Sequence, residues 1–167
     1  MSAYSQPIAS AAEPFVHIRT SFEVLVQASY AETAPLFGPI GERSWVGEHW
    51  NPEFVHPQPG RDEEGAVFNI RRGESTEVWV NTLFDAAARH FQYVYFIPQM
   101  AVTTIDLRFK PLSAGSTQVN VDFTRTALTA KGNERVIAMS EGDKKADKKW
   151  GQAIDALLAS RMIGLKP

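Results

Sequence analysis

Residues 101–127, AVTTIDLRFKPLSAGSTQVNVDFTRTA, decide the fold. Thr103, Ile105, Leu107 and Phe109 alternate with Thr104, Asp106, Arg108 and Lys110. After the turn-forming Ser113-Ala114-Gly115-Ser116, Val119, Val121 and Phe123 alternate with Gln118, Asn120, Asp122 and Thr124. A period of two across a short turn predicts an antiparallel hairpin with one covered face and one wet face. From residue 132 the period changes. Val136, Met139, Ala146, Trp150, Ile154 and Leu157 recur at helical steps, predicting one helix over residues 132–161 that is about 45 Å long.

Working back towards the N-terminus, residues 65–72, 75–84 and 89–97 also read as strands. They are joined by gaps too short for anything but antiparallel neighbours. In residues 15–28, Val16, Ile18, Phe22, Val24 and Val26 share one face, which adds a strand and brings the sheet to about six. Ser29-Tyr30-Ala31-Glu32 has capping-box spacing and predicts a short helix ending near Gly38-Pro39. A second short helix is expected over residues 42–46, and an irregular stretch over 49–64, where Pro52, Pro57, Pro59 and Gly60 interrupt regular structure. The fold class is therefore α+β: a curved antiparallel sheet around a long C-terminal helix, with two short helices after the first strand. Residues 14–163 are expected to form one domain behind a loose tail at 1–13.

Composition narrows the function. The chain of 167 residues is 44% hydrophobic and 22% charged, ordinary for a globular protein. A net charge of −2 offers no basic face for nucleic acid. No run has the length of a membrane span, and residues 1–13 lack the basic and apolar regions of a secretory signal. With no cysteine there is neither disulfide nor thiolate chemistry, and a cytoplasmic location is the expectation. No cofactor is expected, because phosphate-cradling glycine loops, dinucleotide fingerprints and nucleophile elbows are missing from the sequence. Glu48, His49, Glu53 and His56 gather two histidines and two carboxylates, but without the regular spacing of a metal site, and none is expected there.

Strand, two short helices, antiparallel strands and a long C-terminal helix is the order of the helix-grip fold. Ser29-Tyr30-Ala31-Glu32 and Trp50-Asn51-Pro52 resemble local features of the START-like, or SRPBCC, superfamily, which includes polyketide cyclase/dehydrase-type and Bet v 1-like proteins. The resemblance runs over about residues 15–160. It implies an apolar cavity between sheet and long helix that serves binding of a small hydrophobic ligand of lipid, polyketide, isoprenoid or aromatic type. A cyclase-, dehydrase- or hydrolase-like enzyme working in the same cavity, or a protein-interaction module, are the alternatives. The gate and latch motifs of the plant hormone receptors are not evident.

Extending the alternation points Phe68, Ile70 and Arg72 inward on one strand and Tyr93 and Tyr95 on another, with Thr82, Thr103 and Arg125 also on inward faces. The inward face of residues 75–84 stays open, because Trp79 and Leu83 oppose Val78 and Val80. Asp143 interrupts the apolar stripe of the long helix; it is either a ligand-orienting or acid–base carboxylate or a solvated residue beside Gly142. Tyr93 and Tyr95 suit both ligand contact and core packing. The expected ligand site thus comprises Phe68, Ile70, Tyr93, Tyr95, Thr103, Ile105, Leu107, Phe123 and Met139. Asp143 and Arg72 would orient a polar end, and Trp50 and Phe54 would close the mouth.

Overall fold

The computed structural model describes residues 14–164, with side chains through residue 161, so the expected tail at 1–13 lies outside the described residues. Seven strands form one antiparallel sheet: β1 (His17–Val26), β2 (Glu53–His56), β3 (Val67–Arg72), β4 (Ser75–Asp85), β5 (His90–Ile97), β6 (Ala101–Ser113) and β7 (Ser116–Ala127). Their spatial order is β1-β7-β6-β5-β4-β3-β2, so the first strand pairs with the last. The strand beyond the expected six is β2, inside the stretch read as irregular. Phe54 there sits opposite Phe68 of β3, with their rings 5.6 Å apart.

Alternation works as the sequence implies. Every second residue of β7 is buried from Thr117 to Ala127, and β5 and β6 repeat the pattern. In β4 the buried face carries Glu77, Trp79 and Asn81. A register shift between Asn81 and Leu83 then changes the parity: Thr82, expected inward, is exposed, and Phe84 stacks on Phe91 at 4.0 Å. That one irregularity explains why the parity of this strand could not be read from simple alternation.

Between β1 and β2 the chain crosses the sheet in short helical pieces. These are α1 (Tyr30–Thr33), a 3-10 turn (Ala34–Phe37) and α2 (Pro39–Glu42). Ser29 and Glu32 close the expected capping box. The second short helix lies earlier than the expected 42–46, because Gly38 is extended and Pro39 starts a new turn instead of ending the old one. Two indoles pin this crossing: Trp45 Nε1 donates to the Leu36 carbonyl at 2.7 Å, and Trp50 Nε1 to the Pro39 carbonyl at 2.9 Å.

The expected single C-terminal helix is two, α3 (Ala130–Asp143) and α4 (Ala146–Gly164), separated by Lys144 and Lys145. The break follows Gly142, a weak helix former, and Asp143, whose side chain is tied to the sheet. α3 packs on β1, β6 and β7, and α4 on β1. Ile154 is fully buried, while Trp150 meets Phe22 edge-on at 5.1 Å and Trp45 at 5.3 Å.

α3 comes very close to the turn before β6. A Cβ on Gly132 would stand 2.0 Å from the Met100 carbonyl oxygen, whereas one on Gly142 would meet nothing within 4 Å. Gly132→Ala should therefore lower the thermal midpoint by forcing α3 away from the sheet. Gly142→Ala should leave it unchanged or raise it, by up to about 1 kcal/mol in stability. Parallel thermal denaturation of the two variants checks the pair; a Gly132→Ala midpoint at the wild-type value would mean that α3 has room to move.

Candidate functional site

The inner face of the sheet, the α2 crossing and α3–α4 enclose a cavity of about 370 Å3. Its floor is built from cross-strand neighbours. Phe68 pairs with Trp79, Trp79 with Tyr95, Tyr95 with Thr103, and Thr103 with Arg125. Two residues along, Tyr93 pairs with Ile105 and Ile105 with Phe123. These are rungs of one pleated face, which is why residues far apart in sequence converge. Trp79 and Tyr95 stack at 4.1 Å and 12°, giving a flat aromatic wall.

Of the residues expected from sequence, Trp50, Phe68, Arg72, Tyr93, Tyr95, Ile105, Leu107, Phe123 and Met139 line this cavity. The remaining four do not. Phe54 packs against Phe68, while Ile70 and Thr103, though on the inner face, are wholly buried and do not border the cavity. Asp143 is bound to Arg125 instead of opening into the cavity. Trp50 is a buried wall residue, held by Pro39 and edge-on to Trp79 at 5.1 Å, so its role as a closing lid is not what the geometry supports.

Alternation alone did not point to Pro39, Glu42, Val46, His49 and Arg135 as further lining residues. One signal was available for three of them. Pro39, Glu42 and Val46 are spaced by three and four, as on one helical face. Glu77 and Trp79 were masked by the β4 irregularity, and Trp150 comes from the helix stripe.

The polar lining falls into two groups. In the first, the cations are already matched. Arg125 makes a two-pronged pair with Asp143, with Nη2 donating to Oδ1 at 3.1 Å, and its guanidinium lies 4.2 Å over the Phe123 ring. Side-chain exposures of 4% and 11% put this pair in the interior. Arg72 Nε lies 3.7 Å from Glu77, whose Oε2 accepts from Trp79 Nε1 at 3.1 Å, and Arg72 Nη1 donates to the His49 carbonyl at 2.9 Å. Burial raises the Tyr95 phenol above its ordinary range, with the Thr103 hydroxyl and Arg125 pulling the other way.

The second group is acidic. Tyr93 gives its phenol proton to the Phe37 carbonyl, and burial, then Glu42 and Asp62, push its pKa well up. Asp62 accepts from the Ile40 amide at 2.9 Å; burial raises its pKa, while the Ile40 and Gly41 amides and Arg43 oppose that rise. Glu42 has no such help. Its carboxyl faces the cavity without a side-chain hydrogen bond or ion pair among the described residues, and burial, then Asp62, lift its pKa well above the ordinary 4.5.

Among the described residues no group of three or more His, Asp or Glu side chains is arranged to hold a metal ion, and no helix is long and apolar enough to cross a membrane.

The architecture is the helix-grip fold shared with Bet v 1-like structures. Norcoclaurine synthase from Thalictrum flavum, in complex with dopamine and hydroxybenzaldehyde, superimposes with a TM-score of 0.62 at 12% identity over 98% of this chain and 99% of that one. Ara h 8.0201 gives 0.61 at 14% identity over 86% and 99%. The di-domain ARO/CYC BexL from the BE-7585A biosynthetic pathway gives 0.62 at 15%, over 83% of this chain and 46% of that one. No protein-family model matches the sequence, and comparison with curated proteins returns no match.

Two predictions arise from the polar groups. Asp143→Ala strands a buried guanidinium and should cost about 3–5 kcal/mol. Adding Arg125→Leu should recover part of that loss, as read by chemical denaturation of the single and double variants. For Glu42, the folded chain retains a proton that the unfolded chain releases. Its stabilising effect is complete below the unfolded pKa and is lost as pH rises through the folded one. Asp62 acts in the same direction. Glu42→Gln should therefore flatten the decline in stability above the ordinary carboxyl range and raise the midpoint at mildly alkaline pH; a midpoint below wild type there would contradict the assignment.

Proposed function

We propose that this chain reversibly binds a small molecule with a compact, mostly apolar and aromatic body in the cavity between sheet and helices. The observation that carries the reading is the cavity itself: about 370 Å3 that Phe68, Trp79, Tyr95, Leu107, Phe123 and Trp150 surround but do not fill. Interiors are normally packed to crystal-like density, so an unfilled apolar space of this size in a core calls for an occupant. The volume lies near the lower end of the usual range for ligand sites, which favours a compact body over a long acyl chain. The flat Trp79–Tyr95 wall suits a planar ring. The norcoclaurine synthase structure, which has the same fold, is a complex with two small aromatic compounds, and this agrees with the reading.

A second reading, catalysis in the same cavity, is favoured by one observation. Glu42 brings a carboxyl to the cavity lining, and burial, then Asp62, shift its pKa upward, the direction a general acid needs.

The binding reading is tested with N-phenylnaphthylamine, a neutral apolar dye. Its fluorescence should rise on mixing with the wild-type chain and saturate at micromolar levels. Ile105→Trp, which places an indole in the cavity, should retain the thermal midpoint to within a few degrees and lose the signal. No enhancement with wild type, or an enhancement undiminished in a folded Ile105→Trp variant, would remove the container reading.

A further inference from the structure

We propose that the molecule held in this cavity carries a basic nitrogen, whose ammonium pairs with Glu42; this rests on the container reading and adds the ligand's charge. The inference comes from accounting for every charged group that faces the cavity. Arg125 is matched by Asp143, and Arg72 by Glu77. Arg135 is at the exposed rim, where water solvates it, and His49 is exposed beside it at the mouth. Inside, one ionisable group is left over. Glu42 reaches the cavity from the last residue of α2 and has no partner for its carboxyl among the described residues.

Its surroundings select for a cation. Asp62 is the charged group that acts on Glu42, and it places a second carboxyl in the same neighbourhood, held by the Ile40 amide. The Tyr93 hydroxyl, the obvious donor for Glu42, is committed to the Phe37 carbonyl. Glu42 is half-buried, and an unpaired carboxyl in such a partly desolvated place is satisfied by a proton, by water or by a counter-cation. An ammonium group brings both the opposite charge and donors for the free carboxylate lone pairs. The walls fit as well: Trp150 and Tyr93 line the same space, and aromatic rings attract a cation placed over them. An anionic ligand would instead have to meet Glu42 and Glu77, with Arg72 and Arg125 already paired and only the Arg125 Nε left without an acceptor.

This arrangement couples binding to a proton. Burial and Asp62 raise the pKa of the free Glu42 carboxyl, and pairing with an ammonium lowers it, so binding favours loss of its proton. Affinity for an amine should therefore climb as pH rises from the bound-state to the free-state pKa of Glu42, then level off. The groups facing Glu42 are Asp62 from the segment before β3 and Tyr93 from β5, with Arg43 next to it in the chain and His49 at the mouth. The phenol is raised further beyond its ordinary 10.0 and is silent in this range. Asp62 and His49 are separated from Glu42 by the variant below.

The experiment compares naphthylmethylamine, naphthylmethanol and naphthoate, three probes with one ring system and different charge, by isothermal titration in buffers of different ionisation enthalpy. With the wild-type chain the amine should bind about tenfold or more tighter than the alcohol, and release protons; the carboxylate should bind weakest. Glu42→Gln should abolish the preference for the amine over the alcohol and the proton release, while a cooperative thermal transition reports that the variant is folded. Equal binding of all three, a preference for naphthoate, or an amine preference that persists in Glu42→Gln overturns the ammonium proposal and leaves the container reading intact. Failure of all three probes, together with failure of the neutral dye, overturns both.

Discussion

The pairing of β1 with β7 is the constraint from which the rest follows. Ten consecutive residue pairs, His17 with Thr126 through Val26 with Thr117, place the first strand at one edge of the sheet and next to the last strand. The chain must then reach β2 at the opposite edge. It does so through α1, the 3-10 turn and α2, which cross over the inner face. That crossing is what carries Pro39, Glu42 and Val46 into the cavity roof. If β1 paired with its sequence neighbour, no segment would need to span the sheet, and the inner face would be a surface instead of a chamber.

The far side of the chamber depends on how the C-terminal helices are attached. Asp143 ends α3 while gripping Arg125 of β7, and the chain resumes as α4, which packs against β1 and, through Trp150, against Trp45. A continuous straight helix would follow one line across a curved sheet. Two segments hinged after Gly142 can each follow it locally, and the ion pair fixes where the change occurs. Such pairs add little net stability relative to apolar replacements, but an unmatched half is costly, so the pair acts as a register mark between helix and sheet.

Much of this was legible in the sequence because period-two alternation is a direct image of strand geometry. The floor residues Phe68, Tyr93, Tyr95, Ile105, Leu107 and Phe123 were found that way, each from its parity alone. Parity failed where geometry departs from the pleat. The register shift after Asn81 turned Thr82 outward and hid Trp79, one of three wall tryptophans, behind an ambiguous pattern. Parity also gives facing but not depth: Ile70 and Thr103 point inward and stop short of the cavity. The roof was less legible still, because α2 is a single turn, so the three- and four-residue spacing of Pro39, Glu42 and Val46 is a weak signal until the crossing over the sheet is known. Asp143 was visible as an anomaly in an apolar stripe, yet its partner on β7 is eighteen residues away and follows from the packing of α3.

The tryptophans have a consequence of a different kind. All four in the sequence lie in two edge-to-face pairs, Trp45 with Trp150 at 5.3 Å and Trp50 with Trp79 at 5.1 Å, and three of the four line the cavity. Indoles this close share their excited states, and each coupled pair in a fixed chiral setting produces a paired positive and negative band in circular dichroism instead of one broad feature. Each pair also joins elements distant in the chain: the segment after α2 to α4, and the approach to β2 to β4. The chromophores therefore form two built-in optical rulers across the chamber, one spanning roof to helix and the other roof to floor. A change of shape in the chamber would alter band intensities before it altered any secondary structure.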